Sequence, residues 1–341
     1  MTSLASFDTK RQCFDVRWHP TLDLLSVCTL NGHVELLVVD RTEWTIGSRG
    51  RIKMHKGSCR ESRFFPGGQH VVSGGADGQA VVSDLEGGKV CKKSAGGKLN
   101  CLHVMGEQQF ATGDDSGVVK VWDVRQKQPS YLFEEHEEFV TGITSDPVGK
   151  FLLSTSGDGK LSWYDLRKRG GALKAMSDEF DEELTCVELM MSGSKVITGC
   201  GVGQVQIFNW GDFGYRNDVL VPFSDAVEKI AKLDEFTFLT GGPRGILRAA
   251  RLSPNAVLGV AGFCRDSTTS ELPGIDGLCA SPDSALAAVV SDDHRVRVFD
   301  VAQYGAQESG GPAPKRRKVV KGKRLEAAEK VELAKGFFDD V

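Results

Sequence analysis

A chain of 341 residues with 42 Lys and Arg against 46 Asp and Glu, 40% hydrophobic and 26% charged, is long enough to bury a large core and is neither fibrous nor unfolded as a whole. Forty glycines against 11 prolines, with 18 Phe and 5 Trp, point to many tight turns between short strands and so to an all-β fold. The longest apolar runs fall far short of the roughly 18 residues that cross a bilayer, and the opening MTSLASFDTKR lacks a signal-peptide core, so neither membrane spanning nor secretion is expected. The nine cysteines are scattered and never spaced C-x-x-C; they read as reduced intracellular core thiols, not as a disulfide framework or a zinc site.

Taken in chain order, the segments TLNGHVELL, GADGQAVVSD, DDSGVVKVWD, SGDGKLSWYD, CGVGQVQIFN, GPRGILRAAR and SDDHRVRVFD stack on one turn position. Gly32, Gly78, Gly117, Gly159, Gly203, Gly245 and His294 occupy it, at separations of 46, 39, 42, 44, 42 and 49 residues. A repeat of about 40–45 residues is one four-stranded propeller blade. An apolar run such as His70–Gly74 or Phe151–Ser154 makes one strand, a left-handed turn reverses the chain, and an alternating run such as Val118–Trp122 makes the next. Proline marks the corner before that hairpin at Pro20, Pro66, Pro147 and Pro282. In the first copy Asp40 falls two places late, so that blade is expected to be irregular. The seventh copy stops one strand short near Asp300, and the segment Leu4–Phe7 is expected to supply the missing outer strand and close the ring.

His55 and His136 each stand 22 residues before an aspartate, Asp77 and Asp158. Here the sequence resembles the WD-repeat family, whose blades hold His, Ser or Thr, Asp and Trp in a buried hydrogen-bonded network. The resemblance assigns His136, Ser154, Asp158 and Tyr164 to the fourth blade and His55, Ser73 and Asp77 to the second, with Ser83 in the aromatic position. It places Trp122 and Asp123 in the same structural network in the third. His136 with Asp158 could also be read as an acid–base pair, but the spacing fits a satisfied polar network that rigidifies a blade. No residue is assigned a catalytic, cofactor-binding or metal-binding role. No P-loop, dinucleotide fingerprint, G-x-S-x-G elbow or H-E-x-x-H pair occurs, and the Gly199–Gly203 run is turn glycine. The acidic stretch Asp178–Glu183 reads as a solvated loop between blades. An enzyme is therefore disfavoured against a rigid platform for macromolecules.

Beyond Tyr304 the composition shifts, which divides the chain into a seven-bladed propeller over 1–304 and a flexible tail over 305–341. Lys315, Arg316, Arg317 and Lys318, followed by Lys321, Lys323 and Arg324, form a dense basic cluster that resembles a nuclear localisation signal. Phe337 and Phe338, at a polar terminus, read as anchors for a partner or for the propeller itself. The tail carries a net charge of +3 and the rest of the chain −7, which argues against a protein that coats nucleic acid. One local exception, Arg41–Arg63, holds seven basic residues against two acids and is a candidate for RNA phosphates or, equally, scattered surface charge.

Further stretches narrow the resemblance. Phe14–Pro20, Leu30–Glu35, Ala111–Gly117 running into Trp122–Arg125, Ser156–Gly159, Phe208–Gly214 and Phe337–Asp340 are similar to the WD repeat-containing protein 55 family of ribosome-biogenesis factors. That resemblance implies a nuclear and nucleolar scaffold without enzymatic activity, acting in ribosomal RNA production or processing and large-subunit assembly. It implies pre-ribosomal proteins and pre-ribosomal RNA as partners and a monomeric propeller inside larger assemblies, with neither a membrane nor a small-molecule substrate. The tail lacks the long acidic extension of some relatives. Trp122–Arg125 also fits the W-D-x-R pattern of propellers that resemble substrate receptors of cullin-4 ubiquitin ligases, and Tyr164–Arg167 echoes it. On that alternative, Arg125 and Arg167 would contact the ligase adaptor through charge-assisted hydrogen bonds.

Overall fold

The computed structural model describes residues 2–220, 225–265 and 271–305. All seven turn positions take the left-handed backbone: φ lies between 63° and 81° at the six glycines and is 65° at His294. At Gly117 and Gly159 space is a second constraint, because a Cβ there would stand 2.4 Å from the carbonyl oxygens of His136 and Phe180, residues of the loop leading to the next blade. Those loops hydrogen-bond back to the turns. The amides of His55, Ala95 and Phe180 donate to the carbonyls of Gly32, Gly78 and Gly159 at 3.0, 2.9 and 3.2 Å.

Among the described residues 28 strands form seven four-stranded sheets. The innermost strands are Cys13–Trp18, Cys59–Phe64, Leu99–Val104, Val140–Ser145, Leu184–Met190, Lys229–Lys232 and Ile275–Ala280. Six sheets run outward in chain order. In the seventh, the outermost strand is Ala5–Asp8 from the start of the chain, with Ala5 opposite Val298 and Asp8 opposite Arg295. The ring closes as the sequence leads one to expect, with the strand shifted one residue later. The irregular first blade is a lengthened hairpin, His33–Asp40 against Thr45–Lys53, whose extra residues are absorbed by a bulge between Leu36 and Leu37.

The period-two alternation of each strand feeds two cores, one on each side of the blade. Val119 and Val121 pack with Val140, Leu152 and Tyr164 of the fourth blade, whereas Trp122, between them and Asp123, packs with Phe65, Val72 and Val82 of the second. Each fully buried apolar side chain contributes about 1.5–3 kcal/mol, so the cohesion lies between blades as much as within them. Six of the seven innermost strands also carry a register break near their start, as between Cys59 and Glu61 or Ile275 and Gly277. Such bulges re-aim single side chains at the rim of the central channel.

Candidate docking surfaces

The structure brings the predicted networks together. His136 Nδ1 donates to Asp158 Oδ2 at 3.0 Å, and its Nε2 lies 2.7 Å from Ser154 Oγ, which is 3.3 Å from the Tyr164 hydroxyl. In the second blade His55 Nδ1 donates to Asp77 Oδ1 at 2.9 Å and Nε2 lies 2.8 Å from Ser73 Oγ. Ser73 then turns to the Met54 sulfur, and Ser83, in the aromatic position, bonds only local carbonyls. Asp158 also accepts the amide of Glu137, and Asp77 that of Lys56, so both carboxylates hold down inter-blade loops. Burial pushes the Asp158 carboxyl up, but the His136 ring and the amides of Glu137 and Lys160 together hold it below the usual carboxylate range. With both ring nitrogens and both carboxylates occupied by the scaffold, these groups form braces.

The third blade keeps half the device. Trp122 Nε1 donates to Thr112 Oγ1 at 2.9 Å. Asp123 corrects the sequence assignment: it stands outside the network and clamps Arg125, accepting from its amide, Nε and Nη2 at 2.9, 2.9 and 2.6 Å. The reason is strand alternation, which turns Asp123 to the side opposite Trp122. The Arg125 guanidinium holds the Asp123 carboxyl down at about 2. The fourth blade repeats the clamp, with Arg167 Nε and Nη2 on Asp165 at 2.9 and 2.7 Å, and Arg167 also covers the Phe151 ring at 4.6 Å. Side chains of Arg125 and Arg167 are 67% and 54% exposed, so two neighbouring blades present the same pinned, outward guanidinium.

The basic stretch Arg41–Arg63 does not form one surface. Arg41 pairs with Asp23 and Asp283 at 2.7 and 2.5 Å, Arg49 with Glu86 at 3.0 Å, and Arg60 covers the Phe14 ring at 4.6 Å. Arg63 turns inward instead. Lys315, Arg316, Arg317, Lys318, Lys321, Lys323, Arg324, Phe337 and Phe338 lie outside the described residues.

The sequence reading missed the channel. A cavity of about 390 Å³ runs along the axis, lined by residues of all seven innermost strands, including Arg17, Glu61, Arg63, His103, Glu188 and Lys229. Arg17 Nη2 lies 3.1 Å from Asp15 and 3.0 Å from Glu61, and Arg63 pairs with the same two carboxylates. A signal existed, because Asp15-x-Arg17 and Glu61-x-Arg63 are 46 residues apart, the same offset as Gly32 and Gly78. Also unforeseen is the approach of Cys28 and Cys59, with sulfurs 3.2 Å apart between blades one and two; all nine cysteines are free thiols. Burial drives His103 down to about 4, so it is neutral where its Nε2 meets Ser145 Oγ at 3.0 Å.

Two carboxyls are pushed up to about 7 by burial, Glu61 on the channel wall and Asp276 in the innermost strand of the seventh blade, and the second is the simpler to test. Burial and then the neighbouring Asp292 push Asp276 up to about 7, against a weaker opposing pull from Lys229. The folded state therefore holds this proton more tightly than the unfolded chain. The stability it contributes is complete at low pH and drains away as the pH climbs from the ordinary carboxylate value toward about 7. Asp276→Asn is expected to flatten the fall in melting temperature between about pH 4 and about pH 7 in calorimetry; parallel curves for variant and parent would refute the assignment.

Among the described residues no cluster of three or more His, Cys, Asp or Glu is placed to hold a metal ion, and no helix is long and apolar enough to cross a membrane. Seven radial sheets, two of them braced by His–Ser–Asp networks, define the class: this is a WD-repeat β-propeller, a scaffold that offers loop-built faces on a rigid ring. The family model described as WDR55 matches residues 5–304. The chain is 36% identical over 302 residues to the WD repeat-containing protein 55 homolog of Aedes aegypti, covering 87% of this chain and 62% of the relative. It is 30% identical over 312 residues to WD repeat-containing protein 55 of Arabidopsis thaliana, covering 90% and 86% respectively. The chain belongs to the WDR55 family. It spans about three-fifths of the length of the insect relatives, 62% of the Aedes aegypti protein and 56% of that of Drosophila persimilis.

Proposed function

We propose that this propeller is a non-catalytic scaffold in ribosome biogenesis, nuclear and mainly nucleolar, holding pre-ribosomal proteins and, through them or directly, pre-ribosomal RNA. The observation that carries the reading is family membership across the whole ring, residues 5–304. It is supported by the His136–Asp158 and His55–Asp77 pairs, whose polar atoms are committed to bracing loops and leave no free acid–base couple there. On this reading the basic cluster over 315–324 delivers the ring and the loops of its faces do the docking. Affinity purification of the full chain at moderate salt is expected to recover pre-ribosomal particles; their clean absence would overturn the reading.

A second reading rests on the twin clamps. Arg125 and Arg167, pinned on Asp123 and Asp165 with their heads exposed, belong to W-D-x-R-like segments that resemble those of cullin-4 substrate receptors, and on that resemblance they would contact the ligase adaptor. In the same purification Arg125→Ala with Arg167→Ala separates the two: loss of adaptor with retained particles supports two activities, and an unchanged adaptor yield removes the second.

A further inference from the structure

The loops that lead into blades four and five, residues 134–138 and 178–183, carry nine exposed carboxylates. The sequence reading treats the second stretch as a solvated loop, but the fold joins it to the first. Lys160 lies 3.7 Å from Glu137 and 3.3 Å from Glu179, tying both loops into one face. Phe139, 39% exposed, lies beside them.

This acidic face has a built pocket. A cavity of about 300 Å³ opens beside it, lined by Phe180, Asp181, Glu182, Val202, Gln206 and Arg216 among others. Gln206 is 2% exposed, and its Oε1 has no hydrogen-bond partner among the described residues. Across the sheet from it stands Thr198, whose buried Oγ1 is also without one. Blade four explains the deficit. There Ser154 occupies the position of Thr198 and is satisfied by His136; in blade five that histidine is replaced by Phe180, which stands 22 residues before Val202 as His136 stands before Asp158. The substitution removes the partner and leaves an aromatic wall. That wall already takes one guanidinium, since Arg216 lies 5.5 Å from the Phe180 ring centre.

A buried amide oxygen wanting donors, two carboxylates at the mouth and an aromatic face are together the complement of a flat, charged, multi-donor group. We propose that this face binds an Arg/Lys-rich peptide segment of a partner protein, with one arginine side chain entering the pocket to reach Gln206 Oε1. The inference rests on the scaffold reading and deepens it by naming the chemistry of one partner segment.

The test uses the full chain and a short fluorescent Arg/Ser peptide, read by anisotropy. Asp181→Asn with Glu182→Gln, a surface change that leaves the core intact, is expected to weaken binding about tenfold, and Gln206→Met severalfold with an unchanged melting temperature. A triple reversal Glu179→Lys, Asp181→Lys and Glu182→Lys is expected to abolish binding. The reversal Glu43→Lys, Glu86→Lys and Glu107→Lys, equal in charge and away from this face, is expected to leave it within about twofold after salt correction. Equal losses in the two triples would mean net charge alone and overturn the site, as would a folded Gln206→Met variant that binds like the parent. Recovery of pre-ribosomal particles by a chain that fails to bind the peptide would sink this inference and leave the scaffold reading standing.

Discussion

Removing residues 1–10 lowers the melting temperature by more than about 10 °C in scanning calorimetry. The segment is short, but among the described residues it is the strand that covers the outer edge of the seventh sheet. Ala5–Asp8 pairs along its length with Arg295–Asp300, and Leu4 and Phe7 pack against a core that includes Val16, Leu25, Ala288 and Val298. Thr9 adds two bonds to the His294 carbonyl, from its amide at 3.0 Å and its hydroxyl at 2.7 Å. Lost burial at about 1.5–3 kcal/mol per apolar side chain and lost ladder bonds at about 1 kcal/mol each sum to several kcal/mol. At roughly 2–4 °C per kcal/mol for a domain of this size the drop is unmistakable, and the bared edge of the seventh sheet adds an aggregation hazard. A truncated chain that melts with the intact one would show that the ring does not depend on its clasp.

Trp122→Ala is expected to cost about 3–5 kcal/mol and lower the melting temperature by about 8–15 °C. Trp122 is 2% exposed, stacks on Phe110 at 6.5 Å and satisfies the buried Thr112 hydroxyl. Truncation leaves a large cavity between blades two and three and an orphaned polar group inside it. Trp44→Ala is the natural comparison, since that ring is 37% exposed in a surface turn and should change stability by less than about 1 kcal/mol. Similar losses for the two would contradict the inter-blade packing described above.

The features legible in the sequence are those that depend on local constraint. A left-handed turn selects glycine, so seven turn positions could be aligned by eye, and His294 was found only because its neighbours kept the pattern. The networks of His55 and His136 were legible because their members lie at fixed offsets within one repeat. What escaped depends on different blades facing one another. Arg17 meets Glu61, and Cys28 meets Cys59, across the boundary between the first two blades. The pocket beside Gln206 escaped for another reason: it arises from the absence of a histidine, and a missing network member looks in sequence like ordinary divergence. Asp123 was misassigned because the Trp-Asp pair reads as a unit along the chain, while the pleat sends its two side chains to opposite sides.

The clasp between the first and last strands also sets an order of events during synthesis. Ala5–Asp8 leaves the ribosome long before its partner, Arg295–Asp300, has been made. At about 5–20 residues per second the interval is tens of seconds, during which the innermost strand of the first blade has no neighbour on one side and the leading strand has no sheet to join. A nascent ring of this design spends most of its manufacture with two open flanks, a window in which a chaperone has something to hold and a premature stop near the end leaves a molecule that can never shut.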